Sequence, residues 1–127
     1  MYNLTTDEML FFNSYADMLP IYAELMDWLT NKYTDISVKV GKTAISLKNK
    51  YVFATVSLPW RTVKGWPKRY LLFSIGLSYH KESDRVRYAT EPYPNRWTHQ
   101  ILVESIAEFD DDLKAWLDEA YIFAKIK

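Results

Sequence analysis

The chain has 127 residues, 49% hydrophobic and 17% aromatic, with 16 basic and 16 acidic side chains and a formal charge of zero. That is the size of one domain with apolar surface enough for its own core, and three glycines and five prolines exclude a low-complexity or disordered chain. With no cysteine there is no disulfide, thiolate nucleophile or thiolate-held metal, which fits a reducing compartment, and a cytoplasmic location is expected.

The start lacks a basic segment followed by an apolar run, so no signal peptide is expected. No stretch approaches the roughly 18 apolar residues of a membrane span. The neutral total hides a sorting of charge. Residues 1–35 hold six acids and one base, residues 36–81 nine bases and no acid, and residues 82–127 ten acids and six bases, for net charges of −5, +9 and −4.

In chain order, Thr6-Asp7-Glu8 offers a cap and early acids for a first helix through Met9–Phe12. Pro20 suits the first turn of a second helix, in which Ile21, Leu25, Trp28 and Leu29 recur at helical spacing. The middle alternates with period two. Ile36, Val38 and Val40 form one strand, Gly41-Lys42 a turn, and Ile45 and Leu47 the next strand. Tyr51–Leu58 is a third strand that Pro59 ends. Residues 60–68 form a polar connection and Tyr70–Tyr79 a long strand. Val86–Ala89 reads as a short strand and Trp97–Val103 as another, while Glu91–Asn95, with two prolines, reads as outside any regular central strand. Leu113, Trp116, Leu117, Ala120, Tyr121 and Ala124 mark one face of a closing helix, opened by Asp110-Asp111-Asp112 and ended by Lys125 and Lys127 as the dipole favours.

The expected fold is α+β in a single domain over residues 1–127. Two helices span about 5–33, an antiparallel sheet of about five strands lies within about 36–104, and a long helix covers about 110–125, in a two-layer sandwich. Short turns favour a meander. Helices would cover Val38, Ile45, Leu71, Phe73, Ile75, Ile101 and Val103. The other face would carry Ser37, Lys39, Ala44, Ser46, Lys48, Ser74, Gly76, Ser78 and Gln100. Such a face is either plain solvated surface or a groove for an anionic or extended ligand.

Motif chemistry is sparse. Val40-Gly41-Lys42-Thr43 has Ile36 where a phosphate loop needs glycine and strands on both sides, so it reads as a hairpin turn. The histidines His80 and His99 form no zinc-binding pair, and no metal or cofactor is expected. No Gly-x-Ser-x-Gly elbow supports a serine hydrolase. The acid triplet at 110–112 is read as a helix cap in preference to a magnesium site. His99 shares a face with Ile101 and Val103, as a satisfied core residue would. The alternative is a general acid or base beside Glu91.

Glu91–His99 is the densest polar and aromatic segment. Either Arg96 and Trp97 help to wall a pocket, or Glu91 and Arg96 pair and lock the loop. Trp60-Arg61 and Trp66–Arg69 form a second aromatic and basic cluster, suited to stacking and phosphate contact or to folding under the sheet.

Val38–Leu47, Tyr51–Ala54, Glu91–His99, Phe109–Leu113, Trp116-Leu117 and Glu119–Tyr121, in that order and spacing, resemble a bacterial domain of unknown function, the family numbered 5655. The likeness runs from about Leu19 to Ala124. The resemblance carries no established activity, so it implies no catalytic role. It implies a link to modules suspected of acting on nucleic acid, and that any site includes Asn95–His99.

The leading expectation is a non-catalytic module for an anionic partner: nucleic acid, an acidic protein segment or a small anion. Lys39, Lys42, Lys48, Arg61, Arg69 and Arg96 would contribute charge, and Trp60 and Trp97 stacking surfaces. One alternative is an enzyme of unknown reaction with Glu91, Arg96 and His99 in a pocket. Another is a structural or homodimerising domain.

Overall fold

A computed structural model describes residues 2–59 and 61–127. Its helices are α1 (Thr6–Phe11), α2 (Leu19–Lys32) and α3 (Asp111–Ile126), with short 3-10 turns at Ala16–Met18 and Ile106–Glu108. Its strands are β1 (Ser37–Val40), β2 (Ala44–Lys48), β3 (Val52–Ser57), β4 (Leu71–Leu77), β5 (Val86–Tyr93) and β6 (Arg96–Val103). The fold is α+β, with a sheet of six strands where about five were expected.

α1 begins one residue earlier than the Thr6 cap expected. Thr5 accepts the Glu8 N–H at 3.1 Å and the Glu8 carboxylate accepts the Thr5 N–H at 2.8 Å, a reciprocal capping box. Pro20 sits in the first turn of α2, where its missing N–H costs nothing. Asp110 caps α3 by accepting the Leu113 N–H at 3.1 Å, which gives the acid triplet its structural use.

The strand order is β1-β2-β3-β4-β6-β5, with every neighbouring pair antiparallel. The meander therefore breaks once. After β4 the chain passes to the far edge as β5, then returns as β6 between the two. The sequence of each strand explains its place. In β6, His99, Ile101, Leu102 and Val103 are buried, whereas β5 is mostly exposed. β5 also contains Pro92, which lacks a ladder donor and is tolerated at an edge or a bulge. The pairing with β6 is irregular between Thr90 and Tyr93, around Pro92. Glu91-Pro92-Tyr93 thus extends β5 as an irregularly paired edge segment, outside any regular central strand as expected, because an edge position makes no demand on the second side of its backbone.

The register separates the two faces. Val38, Leu47, Ala54, Ile75 and His99 form one row, and Val40, Ile45, Val56, Phe73 and Ile101 the next. These rows face the helices, in one core with Leu25, Leu29, Leu113, Leu117 and Ala120. The outward rows hold Lys39, Ser46, Thr55, Ser74, Gln100 and Tyr88; Ser37 and Lys48; Gly76, Thr98 and Thr90; and Ala44, Ser57, Leu72 and Leu102. None of these outward residues is Asp or Glu. Leu72 and Leu102 are covered by Tyr70 and Trp66, so the connection before β4 folds back over one end of the outward face. The other end stays open.

Among the described residues, no helix is long and apolar enough to cross a membrane.

Candidate functional site

At that open end the sheet splits. β3 pairs with β4 only from Ala54↔Ile75 to Ser57↔Leu72, while β4 stays paired with β6 as far as Leu77↔Trp97. A bulge at Leu47/Lys48 shifts the β2–β3 register here, and bulges bend the strand that carries them. Val52 and Phe53 are therefore not laddered to Gly76 and Leu77. The resulting cleft has a volume of about 480 Å³, within the range of small-ligand sites. Val52, Phe53, Leu77, Pro92, Trp97 and Phe123 give it apolar walls, and Thr55, Ser74 and Thr98 bring hydroxyls. Gly76 lines it without a side chain, and a Cβ there would meet nothing nearer than the Phe53 carbonyl oxygen at 3.9 Å.

Two cations converge on the cleft. The Arg96 guanidinium lies 5.7 Å and the Lys127 ammonium 5.5 Å from the centre of the Phe123 ring. Lys127 reaches the Val52 carbonyl oxygen at 3.4 Å. Among the described residues no carboxylate lies within ion-pair distance of either cation, and the cleft lining contains no Asp or Glu. Burial pushes the Lys127 ammonium below its ordinary pKa, and the charge of Arg96 pushes it further. Two like charges held together in a partly desolvated space favour an anion between them.

Local sequence explains how Arg96 is freed for this position. β5 and β6 are closed by Tyr93↔Arg96 around Pro94-Asn95. Proline fixes φ near −65° and Asn95 has φ +59°, the φ pattern of a type II turn. The Glu91 carboxylate accepts the Asn95 N–H at 3.0 Å. Glu91 thus locks the turn through the backbone and makes no ion pair with Arg96.

His99 is buried and satisfied. Lys81 N–H donates to its Nε2 at 2.9 Å, which places the proton on Nδ1, facing the Ile75 carbonyl at 3.4 Å. Burial lowers its pKa. Its basic nitrogen is therefore occupied by a backbone donor. No hydrogen bond joins Glu91, Arg96 and His99, so the geometry brings none of the convergence that the enzyme alternative requires. Trp97 lies in the cleft wall and stacks on His80 with ring centres 4.8 Å apart.

The other expected binders are spread out. Lys39 and Lys48 lie on the outward face, exposed and without an ion pair among the described residues. Lys42 is in the β1–β2 turn beside Asp7 and Phe11, at the far end of that hairpin from the cleft. Arg69 donates to both Asp17 carboxylate oxygens and lies over Tyr15, which holds the Asp17 carboxyl below its ordinary pKa. Arg61 lies with Tyr15, Thr62 and Trp66 in a separate surface depression. Trp60 lies outside the described residues. The basic and aromatic cluster of residues 61–69 and the cleft are thus separate places.

The sequence reading missed Phe123 and Lys127. Lys127 was assigned to the helix dipole. Phe123 had a signal of its own, as an aromatic residue just off the apolar stripe of α3. No group of three or more potential metal ligands occurs among the described residues.

An α+β sheet with an acid-free outward face running into a cationic cleft is the architecture of this chain. A family described as a domain of unknown function (DUF5655) matches residues 9–124, and the chain belongs to it. No curated protein and no solved structure matches the chain.

Proposed function

We propose that the protein is a non-catalytic binding module for an anionic partner, engaged where the outward sheet face enters the cleft. The observation that carries this reading is the convergence of Arg96 and Lys127 on one cleft whose lining holds no Asp or Glu, with neither cation in an ion pair among the described residues. Arg96 presents a planar fork of donors that matches a carboxylate or phosphate, and Lys127 adds a point charge. Thr55, Ser74 and Thr98 offer neutral hydrogen bonds beside them. Lys39 and Lys48 extend the positive potential along the open face. The occupied Nε2 of His99 and the use of Glu91 in a turn support binding over catalysis.

Calorimetric titration tests the reading with acetate, inorganic phosphate, a nucleoside monophosphate and a short single-stranded oligonucleotide, at low and high salt. Binding of at least one anion is expected, weakening with salt. Arg96→Gln should weaken it by about 1.5–3 kcal/mol, roughly 10- to 150-fold in Kd, as loss of a charge-assisted hydrogen bond does. Absence of binding by every probe at low salt, or affinity unchanged by Arg96→Gln, would contradict it.

A further inference from the structure

The cleft is more than a charged surface, and its chemistry narrows the ligand. Its walls are mainly apolar and aromatic, its hydroxyls stand along the outward strands, and its cations sit together beside Phe123. Simple polyanion binding needs charge spread along a surface, as at Lys39 and Lys48. It has no use for an apolar recess of about 480 Å³. The absent side chain at Gly76, between Phe53 and Thr98, leaves room for a flat group inside the recess rather than across its mouth.

We infer that the cleft takes a small amphipathic anion, a planar ring bearing one carboxylate or phosphate, with the ring inserted beside Gly76 against Val52 and Phe123 and the anionic head between Arg96 and Lys127. This rests on the anion-binding reading above and adds insertion and ring recognition to it. The ring gains from leaving water against Val52 and Phe123, which a bare anion cannot do. The head meets two cations beside the same Phe123 ring, and an anion between them offsets their like charge. Neither part alone uses the whole site. Carboxylate and phosphate heads share this chemistry, and their relative affinities distinguish the two sources.

The test compares indole-3-acetate and adenosine 5′-monophosphate with acetate and inorganic phosphate, by calorimetry and ligand-observed NMR on the intact chain. The ring-bearing anions should bind at least about tenfold more tightly than their ringless counterparts, the minimum expected from burying a ring. Gly76→Val places a β-branched side chain in the recess without backbone conflict and suits a strand. It should keep the circular dichroism and melting temperature of the wild type and reduce ring-anion binding by about tenfold or more. Should Gly76→Val lose its fold, Arg96→Gln serves as the second variant, and the ring-bearing preference itself remains decisive in the wild type. Equal affinity for ringed and ringless anions overturns insertion while leaving the anion-binding reading intact, as does unchanged ring-anion binding in a folded Gly76→Val protein. An oligonucleotide that binds while no small ring anion does has the same meaning. Failure of every anion, the oligonucleotide included, overturns both.

Discussion

Asn95 holds a left-handed backbone, φ +59°, at the tip of the β5–β6 hairpin, and Glu91 accepts its N–H. Asparagine tolerates this region and alanine does so poorly. Asn95→Ala should therefore cost about 1–2 kcal/mol in chemical denaturation and Asn95→Gly close to nothing; equal losses would show that the side chain, not the backbone, matters. His99 carries a second prediction at this scale. Burial lowers its folded pKa below the ordinary value near 6.5, so the unfolded chain binds the proton more readily. The contribution is complete above about pH 6.5 and is lost as the pH falls below that value toward the folded pKa. Urea midpoints should drop between about pH 7.5 and about pH 5.5, and His99→Gln should flatten that slope. An identical slope in the variant would assign the effect elsewhere. The sequence made His99 legible as an inward residue through its spacing from Ile101 and Val103. Its tautomer was not legible, because the donor is the backbone of Lys81, 18 positions away.

At the scale of elements, α1 has six residues and is too short to hold itself. It is tied down by Glu8, a fully buried carboxylate that accepts from the hydroxyls of Tyr2, at 2.8 and 2.9 Å, and Tyr22, and from Thr5 N–H. Burial, then the hydrogen bond to Glu8, pushes both phenols well above their ordinary pKa. Tyr22→Phe should cost about 1.5–3 kcal/mol, the range for a hydrogen bond to a charged group, and should speed amide exchange across Thr6–Phe11. No change in stability would mean that Glu8 is satisfied without it. The sequence showed α2 and α3 through their 3.6-residue stripes and β1 to β4 through their alternation. It showed the first half of β5, Val86–Ala89, and hid its continuation to Tyr93, because prolines mark a break wherever a strand is paired on both sides and the sequence does not place this strand at an edge. The return of β6 between β4 and β5 was equally hidden, since sequence order alone favours neighbours in space.

Over the whole molecule, bases of the acid-free run meet two different fates. Arg69 and Lys81 are met by acids from helical segments, Asp17 and Glu119. Lys39 and Lys48 remain on an outward face whose rows include no acid. The charge pattern pointed to a basic middle of the chain, of which Lys39 and Lys48 stand on the outward face. It could not anticipate the cleft, which is assembled from the start of β3, the end of β4, the β5–β6 hairpin and the last turns of α3. Of its two cations, Arg96 stood out as part of a stiff turn, while Lys127 resembled any basic residue at a helix end. The central claim is that an anion is held between these two side chains. The most direct measurement is a backbone amide NMR titration with adenosine 5′-monophosphate. The shifts should concentrate at residues 52–55, 74–77, 92–98 and 123–127 and saturate, with Arg96→Gln raising the concentration needed for saturation by roughly 10- to 150-fold. Saturating shifts confined to residues 61–69, or no shifts anywhere on the molecule with this probe, acetate, inorganic phosphate or the oligonucleotide, would contradict it.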